Sequence, residues 1–72
     1  MDRGTIEATT KIGDRVKVEA SMSTMEMDYE IKVNIVGRFC GFIHDVDVLV
    51  IGNESKLQVH PTLITFWKNT ES

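Results

Sequence analysis

Residues 25 to 35, MEMDYEIKVNI, alternate apolar and polar side chains without a break. Met25, Met27, Tyr29, Ile31, Val33 and Ile35 fall on one side, and Glu26, Asp28, Glu30, Lys32 and Asn34 on the other. A period of two marks a half-buried β-strand. Eleven extended residues span roughly 35 Å, more than a compact domain of 72 residues measures across. Such a strand either bends sharply and serves two sheets, as in small barrels, or projects and pairs with another chain.

The neighbouring segments follow the same rule. TIEATTKI alternates, with Ile6, Ala8, Thr10 and Ile12 on one face, and reads as a strand. A three-residue loop around Gly13 would join it to VKVEA, which places Val16, Val18 and Ala20 inward. The inward positions then switch from even to odd, which requires an even-numbered loop at Ser21 to Thr24. That loop predicts Val16 near Ile31, Val18 opposite Tyr29 and Ala20 near Met27. Gly37 ends the alternation, and Gly41 inside RFCGFIHD predicts a bulge or sharp bend. VDVLVIG reads as a strand, Gly52-Asn53-Glu54-Ser55 as a hairpin turn, and KLQVH as the returning strand. Pro61 breaks the ladder before a last short strand in TLITFW. With no long helical period, the expected fold is all-β: a single domain, 1–72, forming a small, strongly bent antiparallel barrel of five to six strands.

A chain this short buries only roughly 60 % of its unfolded surface, so its core is marginal and a partner subunit would help it. Cys40 is the only cysteine, so no intrachain disulfide is possible. That usage, with no signal-type N-terminus and no apolar run near membrane-spanning length, points to a cytoplasmic protein with no membrane association. Eleven acids against eight bases give a net charge of −3. The bases, Arg3, Lys11, Arg15, Lys17, Lys32, Arg38, Lys56 and Lys68, are scattered along the chain. Both facts argue against a broad phosphate-binding surface, and so against DNA as a partner.

In VDVLVIG, Val46, Val48 and Val50 can face the core, which leaves Leu49 and Ile51 pointing outward beside Gln58 and His60. Phe42 and Trp67 can join them. A contiguous exposed apolar surface marks an interface, so Leu49, Ile51, Phe42 and Trp67 are the expected contacts of a homo-oligomer. The competing expectation is that Trp67 and the C-terminal segment cover that face from within. His44-Asp45-Val46-Asp47 carries metal-ligating residue types, but adjacent strand residues point to opposite faces, and a solvated turn is the better reading. Cys40 with His44 or His60 could pair a nucleophile with a base, yet nothing orients such a base, and Cys40 reads as a core thiol. Phe39, Phe42, Phe66 and Trp67 read as core or interface, not as a stacking platform for bases. No catalytic residue, metal or cofactor is expected.

KVNIVG, FCGFIHDVD, VLVIGNES and VHPTLITF together resemble the Sm-like family, which includes the bacterial Sm-type RNA chaperone. The resemblance covers about half of the chain, from Ile31 to Trp67. It implies a small barrel and an RNA-binding ring, with His60 and Gln58 as candidate contacts to RNA or another ligand. Val59 stands where the chaperone carries a basic residue before its His. The family has a short helix where the first thirty residues here read as two strands. GDRV, IVGRFC and LQVHP are similar, in the same order, to segments of the type II dihydrofolate reductases. Those are SH3-like barrels whose tetramer forms a central active-site pore. The lysines that follow GDRV there correspond to Val18 and Glu19 here, which removes the cationic substrate contact.

The expected function is therefore non-enzymatic: a regulatory, self-associating interaction module whose partner is a protein. The alternatives are an Sm-like RNA-binding ring and a small-molecule site or enzyme of pore type built at an oligomer axis.

Overall fold

The computed structural model describes residues 1–23 and 29–71. A short helix, α1 (Arg3–Thr9), precedes four strands: β1 (Arg15–Ser23), β2 (Glu30–Ile43), β3 (Asp47–Ile51) and β4 (Lys56–Val59). A single 3-10 turn (Pro61–Leu63) then leads into β5 (Ile64–Asn69). All pairings are antiparallel, in one sheet of order β4-β3-β2-β1-β5. The all-β class is as the alternation predicts. Closure into a barrel is not: β4 and β5 are the two edges, with no ladder between them among the described residues. The reason lies in the chain between them. β4 is four residues long and stops just before Pro61, which has no N–H to donate, and the 3-10 turn follows at once.

The long strand bends and takes two partners. Fourteen residues held straight would reach roughly 46 Å, beyond the 39 Å longest dimension of the molecule. Residues 30 to 38 of β2 pair with β1, and residues 38 to 43 pair with β3. The change of direction is made at Gly41, whose φ of +96° suits glycine, and the β2–β3 register slips by one residue between Phe39 and Phe42.

Three expectations are corrected. TIEATTKI is helical over Arg3–Thr9, not a strand. Its two buried residues are Ile6 and Thr10, four apart and so one helical turn, while Ala8 and Ile12 are exposed. Positions four apart satisfy both a two-residue and a helical period, which is why the alternation misled. The Gly13 turn is real, with φ of +98°, but it joins a helix to β1 and makes no hairpin. Second, Val18 pairs with Ile35, six residues beyond Tyr29, and Ala20 pairs with Val33. The parity of the pairing holds, because Val18 still meets an odd-numbered apolar residue. Its position moves because β1 runs on through Ser21 to Ser23, where a loop was expected. The expected contact of Ala20 with Met27 lies outside the described residues, as do Met25 and the rest of positions 24 to 28. Third, Val46 is exposed in the turn before β3, while Val48 and Val50 are fully buried.

The core lies on the inner face of the sheet: Val16, Val18, Ala20, Ile35, Phe39, Val48, Val50, Leu57, Val59 and Ile64, with Ile6 delivered from α1. Ile6 is 0 % exposed, so the helix contributes about 1.5–3 kcal/mol of apolar burial through this side chain. The Arg3 guanidinium lies 4.3 Å from the Phe42 ring centroid and pairs with Glu7 (3.1 Å) and Asp45 (3.6 Å). Trp67 Nε1 donates to Thr10 Oγ1 at 2.9 Å, closing the other end of the helix onto β5.

Candidate functional site

Because the core takes one face of the sheet, the other face is free, and alternation decides what it carries. On β1 the outward residues are Arg15, Lys17 and Glu19; on β2 they include Lys32, Asn34, Val36 and Arg38; on β5 they are Phe66 and Lys68. Cross-strand pairing then brings together residues far apart in sequence. Arg15 stands opposite Arg38, and Arg38 opposite Ile51, which is in turn opposite Lys56. In the next row Val36, Lys17 and Lys68 are aligned across β2, β1 and β5. Bases that are scattered along the chain thus fall into adjacent rows: Arg15, Lys17, Arg38, Lys56 and Lys68 are five of the eight, all exposed, while Lys32 stands further along β2, beyond the row of Asn34, Glu19 and Phe66. The linear spacing concealed this, since strand pairing and not proximity in sequence brings these residues together. The expectation of a surface without a basic stripe is corrected accordingly.

Apolar groups interrupt the basic rows. Val36 is 48 % exposed, Ile51 46 % and Phe66 41 %. A shallow depression bounded by Arg15, Val36, Arg38 and Ile51 lies where β2 approaches the β3–β4 turn. The approach is close: a Cβ on Gly37 would sit 2.7 Å from the Ile51 carbonyl carbon and 2.8 Å from the Gly52 nitrogen. Acids border the face. Glu71 pairs with Arg38 at 2.7 Å, Glu19 lies beside Phe66, and Glu30 bonds Ser21 near the far end of the β1–β2 ladder.

The turn below the face is tightly tied. Asp14 Oδ2 accepts from the Lys11 backbone N–H (3.0 Å) and from Asn69 Nδ2 (2.9 Å), while the Asp14 carbonyl accepts from Phe39 N–H (2.9 Å). The Lys11 backbone bond, followed by the Asn69 bond, holds the Asp14 carboxyl below its ordinary pKa. Arg38 Nη1 donates to the Gly13 carbonyl at 2.9 Å, which fixes one guanidinium of the basic row to the same turn.

The four expected interface residues do not form one patch. Leu49 and Ile51 are on the outer side of β3, partly and largely exposed. Phe42 is paired with Val48 and Trp67 with Val18, both core residues, so these two aromatics belong to the inner side. They meet Phe39 edge-on from either side, with ring centroids 5.5 Å and 5.6 Å away. Trp67 therefore lines the core and does not lie over Leu49 and Ile51. Gln58 stands opposite Leu49 and donates to Asp47 Oδ2 at 3.2 Å. His60, exposed two residues on, accepts the Thr62 N–H at Nδ1 (3.2 Å) and caps the 3-10 turn. Both are brought to the same edge strand and its end, and both already serve local structure.

His44 and Asp45 form a turn, both with positive φ (52° and 58°), closed by a Val46 N–H to Ile43 carbonyl bond of 3.0 Å. No cluster of three metal-ligating side chains occurs among the described residues. Cys40 is exposed at the bulge and not in the core, its thiol turned to the Arg38 carbonyl at 3.4 Å. The cause is the alternation of β2: Ile35 and Phe39 take inward positions, and Cys40 follows Val36 and Arg38 on the outer side. No helix among the described residues is long and apolar enough to cross a membrane. In comparisons with known proteins, the chain matches no family model, no curated protein and no solved structure.

Proposed function

We propose that the protein is a non-enzymatic, self-associating interaction module of the cytoplasm, and that its partner is another protein. The exposed outer side of β3 carries this reading: Leu49 and Ile51 sit there with Val36 nearby, in a chain whose core is already filled from the other face. Apolar side chains grouped in this way are suited to removal from water against a second surface. The edges of the sheet support self-association. Among the described residues β4 and β5 have no strand partner on their outer sides, and pairing of unlike edges between copies is a heterologous contact that builds rings or filaments. Leu49 and Ile51 stand on the outer face one strand in from the β4 edge, opposite Gln58 and Lys56, and a second copy packed over that face would cover them.

A second reading, an Sm-like RNA-binding ring, is favoured by two observations, the first being the basic rows on the outer face of the sheet. The second is the helix Arg3–Thr9, which stands in the N-terminal part of the chain, where that family has a short helix. Against it, the aromatic side chains best suited to base stacking, Phe42 and Trp67, are spent on the core. A titration with labelled oligo-uridine at physiological salt tests the choice. Binding weaker than micromolar agrees with the protein-binding module. Tight binding that weakens steeply with salt would replace it with the RNA ring.

A further inference from the structure

The basic face contains two departures from good strand pairing. Lys17 is directly opposite Lys68 on β5, and Arg15 is directly opposite Arg38 on β2. Like charges in facing positions destabilise a sheet. Glu71 relieves the second pair through Arg38, but Lys17 and Lys68 have no ion pair among the described residues. A chain with a net charge of −3 has acids enough to place one there. Local choices that work against the fold are expected where a surface serves something else.

We infer that the outer face of β1, with its neighbours β2 and β5, is a docking surface for an acidic segment of the partner protein. This rests on the reading of the molecule as a protein-binding module. Carboxylates of the segment meet Arg15, Lys17, Arg38 and Lys68, and its apolar positions cover Val36 and Phe66. Charge complementarity selects the occupant. Arg15 and Lys17 lie about 7 Å apart along β1, and each has a base in the facing position one strand away. A short segment that alternates acidic and apolar residues matches both the spacing and the mixture. A polynucleotide matches less well, because among the described residues the face offers a single aromatic, Phe66, for stacking.

Fluorescence anisotropy tests this with a short labelled peptide alternating Glu and Leu, its Gln-for-Glu counterpart, and oligo-uridine as competitor. The wild type should bind the Glu peptide, with affinity falling as salt rises, and should bind the Gln peptide at least about tenfold more weakly. The paired variants Lys17→Gln with Lys68→Gln, and Lys17→Glu with Lys68→Glu, should each lose affinity by at least about tenfold. Circular dichroism should show both folded, since the substitutions are exposed: the Gln pair removes the repulsion, and the Glu pair keeps one of the same size with its sign reversed. No binding of the Glu peptide, equal binding by the paired variants, or equal binding of the Gln peptide overturns the inference. Particle mass on the same samples separates the two failures. Assembly without peptide binding removes only the docking surface, whereas displacement of the peptide by oligo-uridine at lower concentration removes the protein-binding reading as well.

Discussion

Lys17 on β1 faces Lys68 on β5 across an antiparallel ladder, and the two ammonium groups share the outer side of the sheet with no ion-pair partner among the described residues. The arrangement is a small cost carried by the fold. Replacing Lys68 with Glu should turn the repulsion into a facing pair of opposite charge and raise stability by about 0.5 kcal/mol. Thermal denaturation at low salt would show a higher midpoint than wild type, and added salt should narrow the difference. A midpoint below wild type would contradict the pairing.

The two aromatics expected at the interface should behave as core residues. Trp67 packs edge-on against Phe39 and is anchored through Thr10. Trp67→Ala should destabilise the fold by about 3 kcal/mol, read as a lower urea midpoint. Leu49→Lys should do something different: it should reduce particle mass while leaving the fold's circular dichroism largely intact. If Trp67→Ala dissociates the protein without destabilising it, the placement of the aromatic on the inner side fails.

Gly37 gives a steric test of the bent strand. A Cβ there would lie 2.7 Å from the Ile51 carbonyl carbon, and backbone cannot rotate away as a side chain can. Gly37→Ala should cost about 1–3 kcal/mol, measured by chemical denaturation. An unchanged midpoint would mean that β2 and the end of β3 leave room for the added methyl group.

Asp14 predicts a pH dependence. Its folded-state pKa lies below the ordinary carboxylate value because the Lys11 N–H and Asn69 amide donate to the ionised form. The stabilisation is therefore fully present above the unfolded-state value near 3.9 and is lost as pH falls through the lower folded value. Melting of wild type and Asp14→Ala should show wild type the more stable at neutral pH. The gap should close progressively below about pH 4. A gap that persists unchanged at strongly acid pH would mean that the carboxylate does not act through these bonds.

Much of the sheet was legible from the period of two. Val16, Val18 and Ala20 are inward on β1, Val48 and Val50 on β3, and the bend falls at Gly41 as a glycine within a strand suggests. The Gly52 to Ser55 turn also lies where it was expected, closed by a Gly52 N–H to Ser55 carbonyl bond of 2.8 Å. The helix was hidden because Ile6 and Thr10 fit both periods, and only the exposure of Ala8 and Ile12 tells them apart. The register was half legible: parity follows from which residues are apolar, but the loop length depends on where β1 stops, and Ser21 to Ser23 carry no breaker that would end it. The basic face was not legible at all, because Arg15, Arg38 and Lys68 become neighbours only through the β1–β2 and β1–β5 registers.

Self-association is most directly tested by the mass of the wild-type protein in solution. Multi-angle light scattering across a range of concentrations should give a discrete multiple of the 8.1 kDa chain mass, with Leu49→Lys shifted toward a single chain. A wild-type mass of 8.1 kDa at the highest concentration would contradict the assembly and leave Leu49 and Ile51 as ordinary surface residues of a monomer.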